Sequence, residues 1–191
     1  MQKIISLFKR DYEGTRLVYD EIVPGAEWVV TGEGTATEKW DGTACMVRDG
    51  KLYKRYDAKK GRTPPVNFEP AQSQPDEITG HLPGWIPVGD GPEDKYHRLA
   101  WNLAGRNLAD GTYELVGEKI QGNPYGMAEC QLLRHGSEII TPEPERTFDG
   151  LKIWFEQHPN VEGIVWHHPD GRMVKIKAKD FGLPWPPKRI T

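Results

Sequence analysis

Cysteine is scarce in this chain: Cys45 and Cys130 are the only two among 191 residues, and their separation forms no CxxC. A disulfide framework and a structural zinc site are both disfavoured, so a reducing cytoplasm is the expected setting. No apolar run approaches the length of a membrane span. The opening, MQKIISLFKRDYEG, lacks the long apolar stretch of a signal peptide. A soluble protein with no membrane partner is expected. Excess base is lacking too. The 25 Lys and Arg are outnumbered by 28 Asp and Glu, a net charge of -3, which argues against indiscriminate nucleic-acid binding.

Several chemistries are missing their signatures. GEGTAT, residues 32–37, has two glycines in dinucleotide spacing but no third, and no GxxxxGK[ST] occurs. His167 and His168 are adjacent rather than four apart, and no HExxH accompanies them. Neighbours on a strand point to opposite faces, so this pair reads as sheet surface more readily than as a metal site. No GxSxG is present, nor a Cys/His pairing for nucleophilic catalysis.

The charge that is present is unevenly placed. KLYKRYDAKKGR, residues 51–62, holds six basic residues and one acid. The next 32 residues, 63–94, contain no Lys or Arg, but six acids, seven prolines and four glycines. Leu82, Trp85, Ile86 and Val88 within them call for burial, so the segment reads as a long ordered loop packed on the same domain. Asp49-Gly50 joins two strands within 43–56, the strongest short hairpin signal. A second hairpin spans VEGIVWHHPDGRMVKIKAK with its turn at Pro169, Asp170 and Gly171. TYELVG, residues 112–117, is a further strand. A helix near 94–106 would place Tyr96, Leu99, Ala100 and Leu103 inward. A second, near 147–157, would use Phe148, Leu151, Trp154 and Phe155, with Pro159 as a stop. Hairpins interrupted by separate helices imply an α+β fold with twisted antiparallel sheets.

Four stretches pair an acid or base with a glycine or a strand: EKWDG, TYELVGE, VEGIVW and MVKIKAK. Any one alone reads as ordinary surface, and Lys175 and Lys177 alone could be the guard of an edge strand. Their order and spacing are more specific. With LYKRYD, GHLPGW, GNPYG, HHPDG and GLPWP they cover residues 37–186. The set resembles the covalent nucleotidyltransferases, which comprise ATP-dependent DNA and RNA ligases and capping guanylyltransferases. It is most similar to the eukaryotic 5′–3′ RNA ligase family with its viral and phage relatives.

That resemblance implies a nucleotidyltransferase fold and an ATP-dependent RNA ligase using Mg²⁺, or Mn²⁺ in its place. Lys39 would be the adenylated lysine and Glu38 before it would contact adenine through its backbone. Asp41 and Gly42 would shape the turn. Arg55 would contact the nucleotide or the 5′-phosphate, and Glu114 the ribose, with Glu118 as its neighbour. Glu162 would support the metal, and Lys175 and Lys177 would engage phosphates. Lys175 and Lys177, at i and i+2 on a strand, can face one triphosphate, and their charge would help to deprotonate Lys39. The implied partner is RNA with 5′-phosphate and 3′-hydroxyl ends, in a role such as repair. Fourteen residues follow Lys177, so the expectation is a single adenylation domain over 1–191 without an appended OB-fold. Two rivals share part of the pattern: a GTP-dependent capping-type guanylyltransferase and a non-catalytic nucleotide- or RNA-end-binding module. GNPYG and GLPWP disfavour the first. Lys39, Glu162 and Lys175 together speak against the second.

Overall fold

The structure, a computed structural model, describes residues 4–77 and 79–187. It is α+β, with mostly antiparallel sheets and few helices. Among the described residues no helix is long and apolar enough to cross a membrane. The chain divides into two compact units, one containing Asp41–His135 and the other Ile4–Trp40 with Gly136–Thr191.

The unit that contains Ile4–Trp40 carries a four-stranded sheet. Its order is Ile5–Ser6, Met173–Lys177, Gly163–His167 and Thr35–Lys39. The hairpin expected around Gly171 forms, with Ile164 opposite Ile176 and Trp166 opposite Val174. Ala36, Ile164, Trp166, Val174 and Ile176 alternate onto one face and are fully or almost fully buried. Leu151 and Phe155, from the helix Phe148–Gln157, join the same core with Leu7, Phe8 and Phe181. Burying each such side chain stabilises the fold by about 1.5–3 kcal/mol. The helix begins where Thr147 accepts a hydrogen bond from the Gly150 N–H and ends two residues before Pro159. The opposite face of the sheet is left to Lys39, Lys175 and Lys177. Met173–Lys177 is paired on both sides, so its lysines do not guard an edge.

The Asp41–His135 unit carries a six-stranded antiparallel sheet. Its order is Gln131–Arg134, Gly111–Val116, Thr43–Arg48, Lys51–Ala58, Leu82–Pro87 and Glu69–Pro70. The Asp49-Gly50 turn forms with both residues at positive φ, 51° and 67°, as a two-residue hairpin of this hand requires. Cys45, Val47, Leu52, Tyr113, Leu115 and Cys130 build the core on one face, with Ala100 from the helix Lys95–Leu103.

Two expectations need correction here. Residues 63–94 are not one long loop: Leu82–Pro87 pairs with Lys51–Ala58 along its length, and Trp85 is buried within it. Pro83 and Pro87 disguise the strand, because they remove donors from a ladder that the pairing tolerates at those positions. The helix at 95–103 buries His97 and Ala100, with Tyr96 and Trp101 packed against the core, while Leu99 and Leu103 remain exposed. Of the expected stripe, Tyr96 and Ala100 face the core and Leu99 and Leu103 do not.

Candidate active site

In the unit that contains Ile4–Trp40, the sheet register sets up the polar face. Gly163 lies opposite Lys39 on one side and opposite Lys177 on the other. One step along, Val165 lies between Thr37 and Lys175. Cross-strand partners share a face, so Lys39, Lys175 and Lys177 project together from the side away from the helix. Gly163 keeps that row open. A Cβ there would lie 2.5 Å from the Ile176 carbonyl oxygen and 3.1 Å from Lys177 Cγ. Lys39 is the last residue of its strand in this sheet.

Lys39 Nζ donates to Glu162 Oε2 at 2.6 Å and reaches the Trp40 carbonyl at 3.3 Å. Glu162 is itself buried. Burial, with the positive charges of Lys39 and Lys177 added, lowers the Lys175 ammonium from 10.5 to about 8. Lys177 is fixed from behind: its N–H donates to Asp180 Oδ2 at 2.9 Å, and the buried Asp180 carboxylate also pairs with Arg10. Glu38 points to the other face, as alternation demands. Burial and the nearby Glu138 charge raise its carboxyl to about 7. Its backbone N–H donates to the Glu138 carbonyl at 2.8 Å.

In the Asp41–His135 unit, Arg55 and Glu114 lie on the sheet face opposite the helix-covered core. Glu114 Oε1 accepts the Gly42 N–H at 3.1 Å, and Oε2 lies 2.8 Å from His135 Nε2. The Asp41 N–H donates to the Tyr125 hydroxyl at 2.6 Å, and Gln121 Nε2 donates to the Gly42 carbonyl at 3.3 Å. Gly42 is required by space, since a Cβ would collide with the Leu115 carbonyl oxygen. Arg55 pairs with Asp57 at 2.8 Å and stands over the Trp85 ring, 5.8 Å from its centre. Glu118 is exposed beyond the strand end.

GNPYG is an ordered loop. Asn123 both donates to and accepts from the Met127 backbone at 2.9 Å, which presents Tyr125. Tyr125, Gln121 and His135 escaped the sequence reading, although GNPYG had flagged the region of the first. Lys54, grouped there with the basic segment, faces the core on the same side as Leu52. It pairs with the buried Asp94.

Mg²⁺ takes oxygen donors and commonly uses one or two carboxylates together with substrate phosphates. One buried glutamate among three lysines, Glu162 with Lys39, Lys175 and Lys177, fits such shared coordination. A cage of protein ligands would need more donors. Among the described residues no cluster of three or more His, Cys, Asp or Glu side chains could hold a metal by itself.

A family model described as RNA ligase 1 matches residues 99–191, a span that takes in Glu114, Glu162, Lys175 and Lys177. RNA ligase 1 of Danio rerio is 33% identical over 152 residues, covering 63% of this chain and 46% of that protein. RNA ligase 1 of Pongo abelii is 32% identical over 147 residues, 59% of this chain and 44% of that protein. The Mus musculus RNA ligase 1 is 29% identical over 222 residues, with 79% and 68% covered. The chain spans less than half the length of the Danio rerio and Pongo abelii proteins. Over part of its length the chain is thus similar to proteins of the RNA ligase 1 family.

Proposed function

We propose that this chain is an ATP-dependent RNA ligase with a nucleotidyltransferase fold, acting in the cytoplasm through a lysyl-AMP intermediate. The observation that carries the reading is the contact between Lys39 and Glu162 within a row of three lysines on one sheet face. A lysine nucleophile must shed a proton before it attacks, and the Glu162 carboxylate is the acceptor placed against Nζ. In the proposed first step, Lys39 Nζ bonds to the α-phosphorus of ATP. The bond from that phosphorus to the bridging oxygen breaks, and pyrophosphate leaves while the proton passes to Glu162. Lys175 and Lys177 face the same side of the sheet and neutralise phosphate charge as it redistributes. In the second step a 5′-phosphate oxygen of RNA takes the AMP, and the Lys39 amine regains its proton. In the third, a 3′-hydroxyl attacks that activated phosphate, the phosphodiester forms and AMP departs.

Mg²⁺, held by phosphate oxygens with Glu162 supporting it through bound water, would supply charge stabilisation at the reacting phosphate. The family roles of the remaining residues are part of the same proposal. Arg55 grips phosphate in the bidentate manner open to a guanidinium. Glu114 accepts from ribose hydroxyls, with Glu118 adjacent, and Glu38 adjoins adenine through its main chain. Asp41 and Gly42 give the turn after the nucleophile its shape.

The test is incubation with α-labelled ATP or GTP and Mg²⁺, followed by mapping of the labelled peptide. Acid-labile, alkali-stable label on Lys39 from ATP is the expected result. Preference for GTP would move the chain to the capping class, and no label from either nucleotide would leave a binding module.

A further inference from the structure

We infer that His135 is a positioning residue, which holds the Glu114 carboxylate in the orientation that receives the vicinal hydroxyls of the nucleotide ribose. The inference rests on the ligase reading above and extends it to a residue with no assigned role. It is carried by a chain of contacts within the Asp41–His135 unit. His135 Nε2 lies 2.8 Å from Glu114 Oε2, and its Nδ1 lies 2.9 Å from Thr112 Oγ1. The His135 N–H also donates to the Thr112 carbonyl at 3.0 Å, so backbone and side chain are tied to one neighbouring strand.

Hydrogen-bond chemistry fixes the direction of this relay. An ionised carboxylate can only accept, so Nε2 carries the proton toward Glu114. Thr112 can donate to a bare Nδ1 or accept from a protonated one, and so it suits either state of the ring. The other carboxylate oxygen, Oε1, is held by the Gly42 N–H. Glu114 is thus anchored once at each oxygen, in a half-buried setting where rotation would break both bonds. Each oxygen has a second lone pair, and two such acceptors on one rigid carboxylate match two adjacent sugar hydroxyls. Groups whose orientation is set before binding lose less entropy when the ligand arrives.

The experiment compares wild type, His135→Leu and His135→Gln by the rate of Lys39 labelling at varied nucleotide concentration, using ATP and 2′,3′-dideoxy-ATP. Leucine removes the donor, whereas glutamine can place an amide N–H near the position of Nε2. His135→Leu is expected to raise the ATP concentration for half-maximal labelling by about tenfold, the size of one hydrogen bond to a charged group. The maximal rate should hold. His135→Gln should recover most of the loss. With dideoxy-ATP, which lacks the hydroxyls, wild type and His135→Leu should behave alike. Thermal melting of each variant checks that the fold persists. Equal losses with both nucleotides, or a fall in maximal rate alone, would overturn the inference, as would His135→Leu indistinguishable from wild type on ATP. Wild type that takes no label on Lys39 would instead overturn the underlying ligase reading and the inference with it.

Discussion

Lys39 Nζ and Glu162 Oε2 stand 2.6 Å apart, linking the last residue of one strand to the residue that precedes its neighbour in the sheet. Each side chain is placed by backbone pairing: Lys39 lies opposite Gly163, and Glu162 is the residue before it. Register thus sets Lys39 beside the start of its neighbouring strand, where Glu162 turns toward it; in the proposed reaction these two are the nucleophile and its proton acceptor.

The first prediction follows from this pair. Lys39→Ala and Lys39→Arg should both lose covalent AMP, because guanidinium stays protonated and cannot attack. Glu162→Gln should fold and yet label at least about a hundredfold more slowly, in keeping with the loss of a general base. Label on another lysine in Lys39→Ala, or an unchanged rate in Glu162→Gln, would refute the assignment. Peptide mapping and single-turnover labelling read the two outcomes.

Gly163 is predicted to be intolerant of a single methyl. In Gly163→Ala the new carbon would sit 2.5 Å from the Ile176 oxygen, which is fixed backbone in a paired strand. Relief requires the two strands to part, at a cost of about 1–3 kcal/mol. The shift would also separate Lys39 from Lys177 across the row. Urea unfolding should show the lost stability, and labelling should fall by more than stability alone explains. A variant with wild-type labelling would show that the row tolerates spreading.

Lys175 gives a prediction in pH. Its folded-state value of about 8 lies below the ordinary 10.5, so the fold disfavours the charged form. Below pH 8 the side chain is charged in both folded and unfolded states, and the full penalty is present. As pH rises from 8 to 10.5 the folded protein sheds its proton first, and the penalty fades. Lys175→Met should therefore be more stable than wild type at pH 7, by roughly 1–3 kcal/mol, while losing nucleotidyl transfer. The advantage should shrink toward pH 10. A pH-independent difference in Tm would mean that packing, rather than charge, sets it.

Lys54 is predicted to serve the fold. Its ammonium pairs with Asp94, which is almost wholly buried and also accepts the Gly89 N–H at 2.7 Å. Removing one partner leaves a buried charge uncompensated, so Lys54→Met should destabilise by about 3 kcal/mol. Affinity for RNA should change little under conditions where the variant is folded. An unaltered Tm with weakened RNA binding would return Lys54 to the binding surface.

The hairpins and the lysine row were legible in the sequence because their signals are local. Asp49-Gly50 and Gly171 mark turns by chain conformation, and Lys175 and Lys177 share a face by strand periodicity alone. Leu82–Pro87 was hidden by its prolines, since a pattern reader sees missing donors and cannot see which side of the ladder lacks a partner. The helix at 95–103 was legible in place but not in orientation. Ion pairing to Lys54 makes Asp94 an inward residue, and the buried His97 sits one position from the stripe that hydrophobicity chose. The Glu114–His135 contact spans 21 residues and arises because Gly111–Val116 pairs with Gln131–Arg134 in a particular register. A one-residue slip would point the two side chains apart, and nothing in the composition records that register.

The last prediction concerns the RNA. With Lys54 facing the core and Arg55 paired to Asp57, the exposed basic charge of the segment, apart from Lys51 at the start of the strand, falls on Lys59, Lys60 and Arg62. These three sit on one tight turn closed by the Arg62 N–H to the Lys59 carbonyl at 3.0 Å, with Gly61 at a φ of 73°. A turn of this kind holds the cations together and clear of the sheet. Phosphates they neutralise would release counterions, so binding should weaken steeply with salt. Replacing all three by glutamine should reduce the slope of log K against log salt by about 2 for a single-stranded RNA. Label on Lys39 from ATP should be unaffected. Sealing of 5′-phosphorylated RNA to a 3′-hydroxyl RNA end should fall at moderate salt and recover when salt is lowered. Matched DNA ends should be joined poorly by wild type, because 2′-hydroxyls and splayed bases distinguish RNA. An unchanged salt slope would place the RNA on another surface, and equal sealing of DNA would remove RNA from the proposed function while leaving the lysine chemistry intact.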